Sequence, residues 1–246
     1  MQIEYHKWFS TSLQKDMELK IYGYYGKPIL LFPTQGGRFF ESEDFGIIDA
    51  LSSFINNGRI KVFTIDSIDF ESWSNQQAHP ADRGKRYEAY ENYILDEVLP
   101  LIRNHCHQQD IKVCSGGFSM GAYHAANFFF KHPEQFDAVI AISGMYDLQR
   151  LVGDYMDQTV YFNSPLHFLQ NLQDEKLLLQ IRSSKIIIAV GQGAWEQEMI
   201  ADTQKMQQLL NEKQIAAWID FWGSDVSHDW PWWRKMMPYF VDKIGV

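Results

Sequence analysis

The feature that most restricts the fold of this chain is an alternation of short, β-branched apolar runs with longer amphipathic stretches. Residues 138–143 and 185–190 are almost continuously apolar, as are strands covered on both faces. Residues 86–103 and 196–213 instead repeat apolar side chains every three or four positions, which is typical of helices. The pattern predicts an α/β fold, with a mostly parallel central sheet covered by helices on both faces. Functional residues then gather at the carboxyl ends of the strands.

The domain organisation follows from length and from two breaks in this alternation. A chain of 246 residues exceeds the common domain size, but α/β folds often reach this length as one domain, so we predict a single domain over 1–246. Residues 3–24 resemble antiparallel edge strands. Residues 148–184 form a mixed, aromatic-rich stretch, which we interpret as a small helical cap or lid insertion.

Charge and composition exclude several classes of function. The chain has 22 Lys and Arg against 31 Asp and Glu, a net charge of −9, which repels nucleic acids and anionic membranes as partners. No apolar run approaches the ~18 residues of a membrane span, and the first residues do not resemble an export signal, so we expect a cytoplasmic protein. Cys106 and Cys114 have no metal or redox spacing and are expected to be reduced packing residues. The oligomeric state is left open.

A nucleophile motif occupies residues 117–121, Gly-Phe-Ser-Met-Gly, which match the G-x-S-x-G pattern. In that pattern a serine lies on a tight strand-to-helix turn, and the glycines avoid collisions with the neighbouring strand and helix. A strand-like run precedes the motif and a helix-like run follows it, as the turn requires. We therefore predict an α/β-hydrolase fold with Ser119 as the nucleophile.

The base and the acid are predicted from their positions after the last strands. In this fold the chain order is serine, acid, histidine, and His228 follows the final strand-like run. Glu196 is the first carboxylate after the run at 185–190, and we favour it as the acid over Glu198, which would face another side of the coming helix. Asp225 and Asp229 flank His228 too closely in sequence to orient its ring well.

The oxyanion hole and substrate contacts are assigned to loops beside these residues. The first amide donor is expected to be Met120, which follows the nucleophile, and the second comes from the loop after the strand at 29–32. Gly37 is the first choice there, with Gly36 second and also a substrate-binding candidate. Arg38 is a candidate for holding an anionic substrate group. Aromatic side chains near these loops could line an acyl or sugar pocket, with Trp195 and Trp230 foremost among Phe39, Trp73, Trp195, Trp230, Trp232 and Trp233.

Two segments carry a family resemblance: Gly-Phe-Ser-Met-Gly-Ala-Tyr-His-Ala-Ala-Asn at 117–127 and Ser-His-Asp-Trp-Pro-Trp-Trp at 227–233. Together they resemble the esterase family that includes S-formylglutathione hydrolases, feruloyl esterases and mycolyltransferases. The resemblance extends over about residues 29–239 but not over 148–184. It implies a serine esterase acting on a small carboxylic ester or thioester, and its mycolyltransferase branch supports Glu196 as acid and Gly37 as loop donor.

The sequence thus predicts a serine hydrolase that forms an acyl-enzyme on Ser119, with His228 as base. This chemistry needs no cofactor, and no paired-histidine helix motif indicates a catalytic metal. Two alternatives stay open at this point. An acyltransferase would use the same three residues with a different acceptor, and a catalytically silent scaffold or partner-binding protein would lack a member of the triad.

Overall fold

The computed structural model describes residues 1–245, and its centre is one eight-stranded sheet. The strand order is β1-β2-β4-β3-β5-β6-β7-β8. β1 and β2 pair antiparallel at one edge, and β3 to β8 run parallel, which confirms the predicted sheet. The strands are β1 (Ile3–Ser10), β2 (Lys15–Tyr22), β3 (Lys27–Phe32), β4 (Ile60–Ile65), β5 (Val113–Phe118), β6 (Phe136–Ile142), β7 (Lys185–Val190) and β8 (Trp218–Phe221).

Helices cover both faces of the sheet, as the sequence pattern predicts. Within residues 1–245, no helix is both long and apolar enough to cross a membrane. A 3-10 turn at Asp69–Glu71 and a π-helical segment at Tyr93–Val98 complete the elements. The helices are α1 (Glu41–Asp44), α2 (Ile47–Ala50), α3 (Ser52–Asn56), α4 (Pro80–Asn92), α5 (Leu99–His105), α6 (Met120–Lys131), α7 (Gln149–Val152), α8 (Gln158–Phe162), α9 (Pro165–Gln170), α10 (Glu175–Arg182), α11 (Gln197–Glu212) and α12 (Trp230–Lys243).

The central strands β3 to β6 are buried along almost their whole length because each face of the sheet packs against a different layer of helices. Ile29 and Leu31 lie in the cluster with α2, α3 and α12, whereas Leu30 lies in the cluster with α4, α5, α6 and α11. On β6, Ile140 lies in the first of these clusters and Val139 in the second. Side chains of a strand alternate between the two faces of the sheet. Because both faces are buried here, the usual alternation of apolar and polar side chains is largely absent.

Residues 148–184 fold into the short helices α7 to α10 between β6 and β7. Asn163 anchors this segment on α6, because its carbonyl accepts from the Tyr123 hydroxyl at 2.9 Å and its Oδ1 from Asn127 Nδ2 at 3.0 Å. Arg83 Nη1 donates to the Leu151 carbonyl at 2.9 Å, which ties the segment to α4 as well. A lid function for these helices stays a prediction.

Glu97, in the π-helical segment, fastens the antiparallel hairpin β1–β2 to the rest of the fold. Its Oε2 accepts from Trp8 Nε1 at 2.7 Å, and its Oε1 accepts from Ser10 Oγ at 2.9 Å and the Ser12 amide at 3.0 Å. Partial burial by itself would raise the pKa of Glu97, but these hydrogen bonds, led by the Ser12 amide, outweigh it and lower that pKa below its ordinary value.

We predict that Glu97→Ala lowers the free energy of unfolding by about 2 kcal/mol near neutral pH, because it removes a charged acceptor from three donors. A carboxylate with a lowered folded-state pKa stabilises fully above its unfolded-state pKa, and loses that contribution as pH falls through the folded-state pKa. Urea titrations at about pH 7 and about pH 3 should therefore show the gap to wild type closing in acid. Asp96→Ala, at an exposed neighbouring position, is the control and should change stability by less than about 0.5 kcal/mol. An equal effect of both variants would contradict the anchoring role.

Candidate active site

Ser119 lies on the sharp turn between β5 and α6, with φ 55° and ψ −121°. A positive φ is uncommon for a residue with a side chain and costs of order 1–3 kcal/mol, so the surrounding structure must hold it. The Ser119 amide donates to the Ile142 carbonyl at the end of β6, at 3.0 Å. The turn therefore fixes the hydroxyl at the carboxyl end of the sheet, where the sequence predicts it.

The two glycines of the motif are required by close backbone approaches. A Cβ at Gly117 would lie 2.4 Å from the carbonyl group of Gly121, on the first turn of α6. A Cβ at Gly121 would lie 2.4 Å from the Phe32 carbonyl oxygen and 2.5 Å from that of Pro33, where β3 ends. The motif thus packs the start of α6 directly against the end of β3.

Glu196 and His228 meet at the same end of the sheet. Glu196 is fully buried at the start of α11, and its Oε2 accepts from His228 Nδ1 at 3.2 Å. Glu198 points elsewhere: its side chain is exposed and lies 3.5 Å from an Arg150 guanidinium nitrogen. The geometry therefore pairs His228 with Glu196, the carboxylate that the sequence favours, and not with Glu198.

His228 is held on the loop after β8. Its amide donates to the Ala194 carbonyl at 3.0 Å, and its ring contacts Trp233 edge-on with centroids 5.0 Å apart. Asp229 instead caps α12 by accepting from the Trp230 amide at 2.7 Å. Among residues 1–245, Nε2 of His228 makes no hydrogen bond, and none joins it to the Ser119 hydroxyl. Such bonds often form only once substrate is bound.

Ser143 is a site residue that the sequence analysis missed. It follows β6, and its Oγ donates to Glu196 Oε1 at 2.5 Å while accepting from Trp233 Nε1 at 3.3 Å. The Ser143 amide also donates to the Ala189 carbonyl on β7, at 2.7 Å. Ser143 thereby fixes the carboxylate that faces His228. The sequence did contain a signal for it: Ser143 is a polar residue directly after β6, the strand that pairs with β5.

The loop after β3 corrects the predicted oxyanion donor. The Gly37 amide donates to the Thr34 carbonyl at 2.9 Å, and the Gly36 amide donates to Asp69 Oδ2 at 2.9 Å. Both amides are thus already used inside the protein, so the prediction of Gly37, with Gly36 second, is wrong for this structure. The glycines shape the turn rather than donate from it, since Gly36 has φ 67°.

Gln35 lies in the same loop; its side-chain Nε2 donates to Ser74 Oγ at 2.7 Å, but its backbone amide makes no hydrogen bond within residues 1–245. Gln35 borders the same cavity as Ser119 and Met120. Met120 is the first residue of α6, where helix amides have no partner within the helix. Gln35 and Met120 are therefore residues that border the cavity beside Ser119 and whose backbone amides are unbonded within the described part of the chain.

A buried polar network supports this loop from beneath. Asp69, only 1% exposed, contacts His124 Nε2 through Oδ1 at 2.8 Å, while its other oxygen receives the Gly36 amide. His124 Nδ1 lies 3.0 Å from the Tyr87 hydroxyl. Burial raises the pKa of Tyr87, so its hydroxyl keeps its proton. His124 is thus bonded within the core, as expected of a packing residue.

Arg38 is not available as an anion anchor. Its Nε donates to Asp66 Oδ1 at 2.6 Å, and its Nη2 pairs with Glu18. The Asp66 carboxylate raises the pKa of Arg38 further. Two carboxylates therefore neutralise the guanidinium, and the predicted role in substrate binding is wrong for this structure.

The predicted aromatic contacts lie outside the cavity at Ser119. Trp230 stacks on Phe45, with centroids 4.5 Å apart and planes at 7°, and packs edge-on against Trp233. Trp195 is 78% exposed on the loop before α11. Neither lines the cavity, so substrate contact through Trp195 or Trp230 has no support here.

The cavity beside Ser119 has a volume of about 150 Å³. Arg150 and Glu198 are among the residues that line it, and Arg150 Nη2 donates to Asp202 Oδ1 at 2.8 Å. Its apolar wall is built by Met120, Met145, Leu151 and Met199.

Sequence comparison with protein families matches residues 10–243 to the family described as "Putative esterase". The chain belongs to this esterase family. It is accordingly a serine hydrolase that acts on esters, as its sequence resemblance implies. No curated protein matches this esterase in sequence.

Solved structures share the fold of this esterase at low sequence identity. A ferulic acid esterase matches with a TM-score of 0.76 and 16% identity, covering 99% of this chain and 98% of the other. A fluorophosphonate-binding serine hydrolase from Staphylococcus aureus has a TM-score of 0.75 at 14% identity, with 99% and 98% covered. An S-formylglutathione hydrolase from Agrobacterium tumefaciens has 0.76 at 12% identity, with 98% and 94% covered. These likenesses confirm the α/β-hydrolase fold.

We predict that Gly121→Ala destabilises the esterase by about 3 kcal/mol or more, because the new methyl group meets backbone carbonyls that cannot move aside. Urea denaturation followed by tryptophan fluorescence measures the loss. Gly223→Ala is the matched control, since its Cβ meets only the movable Asp225 carboxylate, at 2.5 Å. Equal stability of the two variants would contradict the tight packing of α6 on β3.

Proposed function

We propose that Ser119, His228 and Glu196 act as a catalytic triad that hydrolyses a small carboxylic ester or thioester. The observation that carries this proposal is the hydrogen bond between buried Glu196 and His228, at 3.2 Å, at the sheet edge where the Ser119 turn lies. This arrangement presents Nε2 of His228 on the side away from the acid. A base oriented in this way can activate a serine hydroxyl.

In the acylation step, Ser119 Oγ attacks the ester carbonyl carbon while His228 Nε2 takes the hydroxyl proton. Glu196 stabilises the resulting imidazolium through Nδ1, and Ser143 keeps the carboxylate in place. When the tetrahedral intermediate collapses, His228 gives the proton to the leaving alcohol or thiol. Water then repeats the sequence on the acyl-enzyme, which releases the acid and restores the serine.

The charge that develops on the carbonyl oxygen needs preorganised donors. We assign this role to the amides of Met120 and Gln35, which border the cavity with Ser119. The dipole of α6 adds to the donation at Met120, because the positive end of a helix is its N-terminus. Asp69 contributes indirectly by holding the Gly36 amide next to Gln35, at 2.9 Å.

The cavity restricts the acyl group to a short one. Its volume of about 150 Å³ is below the range of about 300–1,000 Å³ that drug-sized ligands occupy. Its methionine and leucine side chains favour an apolar chain over a sugar or a charged group. We therefore infer a short, apolar acyl moiety.

We predict that Ser119→Ala and His228→Ala each lower kcat by about 10⁴-fold or more, because each removes a member of a unit that acts together. Glu196→Gln should lower kcat by about 10³-fold or more, since it removes the charge that stabilises the imidazolium. Hydrolysis of p-nitrophenyl acetate is the assay, and circular dichroism verifies folding. Glu212→Gln, at the exposed far end of the same helix α11, is the matched control and should keep most activity.

Labelling with a fluorophosphonate, followed by peptide mass mapping, locates the nucleophile independently of substrate choice. The adduct should appear on Ser119 and disappear in His228→Ala. Labelling on another residue, or no labelling of folded wild type, would refute the triad. Faster turnover with an added alcohol than with water would instead identify an acyltransferase.

We predict that kcat/KM falls by about 10-fold or more from p-nitrophenyl butanoate to the octanoate ester, because the longer chain exceeds the cavity. Leu151→Ala enlarges the cavity and should shift the substrate preference towards esters of longer acyl chains, whereas wild type should favour the acetate and butanoate esters. The comparison uses kcat/KM across one ester series. A rising profile with chain length would contradict the short-acyl assignment.

A further inference from the structure

Three metal-ligating side chains meet at the antiparallel edge of the sheet, away from the active site. Glu4 and His6 are two residues apart on β1 and therefore share a face of the strand, and His105 is the last residue of α5. Glu4 Oε2 lies 3.6 Å from His6 Nε2 and 3.7 Å from His105 Nδ1, and the three atoms lie within 4.8 Å of one another. The two imidazole rings pack edge to face, with centroids 4.9 Å apart.

The space between these atoms has the size of a transition-metal ion. A triangle with sides of 3.6, 3.7 and at most 4.8 Å has a centre about 2.4 Å or less from each corner. Zinc binds imidazole nitrogen at about 2.0–2.1 Å and carboxylate oxygen at about 2.0–2.2 Å. Shifts of a few tenths of an ångström by long side chains would therefore close the site around an ion.

The His6 ring supplies an independent reason to expect a ligand. Its Nε2 is buried and has no hydrogen-bond partner among the described residues 1–245. The distance of 3.6 Å from His6 Nε2 to Glu4 Oε2 is too long for a hydrogen bond. Buried polar atoms are nearly always paired, so an unpaired nitrogen facing a carboxylate and a second imidazole is explained by an ion that all three share.

Neighbouring side chains contact the candidate metal ligands and affect how they would bind an ion. Gln2 Nε2 donates to Glu4 Oε1 at 2.8 Å, which leaves Oε2 to face the imidazoles, as outer partners of metal ligands commonly do. Lys61 Nζ donates to the His105 carbonyl at 3.0 Å and brings a positive charge close, so affinity should be below that of four-ligand structural sites.

We propose that Glu4, His6 and His105 bind one divalent first-row transition metal ion, Zn²⁺ foremost, which fastens β1 to α5. Two imidazoles and a carboxylate suit zinc and its neighbours better than Mg²⁺ or Ca²⁺, and three protein ligands leave a position for water. The site is separate from the triad, because β1 lies four strand spacings, about 19 Å, from β5. The proposal does not depend on the proposed function.

Equilibrium dialysis of tag-free protein against ZnCl₂, with metal counted by mass spectrometry, tests this proposal. Wild type should bind one zinc per chain and gain thermal stability, and EDTA should reverse the gain. His6→Gln and His105→Gln should each weaken binding by about 10-fold or more and lose the gain. Two variants at different elements keep the test decisive if one of them folds poorly.

His107→Gln is the matched control, because His107 is exposed just beyond His105 and lies outside the cluster. It should bind zinc as wild type does, and so should His228→Gln, which removes the active-site imidazole. No stoichiometric zinc on wild type, equal binding by His6→Gln and His107→Gln, or loss only in His228→Gln would each overturn the proposal. Metal-free His6→Gln should hydrolyse esters as fast as metal-free wild type does. Failure of the metal-site proposal can therefore be distinguished from failure of the proposed triad.

Discussion

The strained turn at Ser119 is the constraint on which the rest of the active site depends. The turn exists only because Gly121 lets α6 approach the carbonyls of Phe32 and Pro33 at the end of β3. The same contact brings the Met120 amide beside the loop that carries Gln35. One backbone contact thus positions the proposed nucleophile and both candidate oxyanion donors, without any long side chain whose rotamers would have to be ordered.

Strand order arranges the remaining polar residues. β5, β6, β7 and β8 are consecutive in the sheet, and each is followed at its carboxyl end by one polar residue or short loop of the site. Ser119, Ser143, Glu196 and His228 therefore come together although they are far apart in the chain. The hydrogen bonds from Ser143 and His228 satisfy both oxygens of the buried Glu196 carboxylate, which would otherwise be costly to bury.

Carboxylates also shape the loop opposite Ser119, the proposed nucleophile. Glu41 receives the Thr34 amide at 2.8 Å, and Asp69 receives the Gly36 amide at 2.9 Å. Burial raises the pKa of Glu41, and the hydrogen bonds from Thr34 act against this rise. Internal acceptors on both sides thus hold the loop around Gln35 in place, which is the preorganisation that its proposed oxyanion role requires.

The sequence by itself determined the α/β fold and the Ser119 turn, because apolar periodicity reports burial and motif glycines report local backbone geometry. It also favoured Glu196 over Glu198 as the partner of His228, and the role of Glu196 as acid stays a proposal. Tertiary structure decided which groups remain free. Gly37 and Arg38 carry the right chemistry, but Thr34, Asp66 and Glu18 already bind them. The Glu4, His6 and His105 cluster likewise exists only where β1 meets the end of α5. Hydrogen bonds between distant segments depend on topology, and no local pattern encodes them.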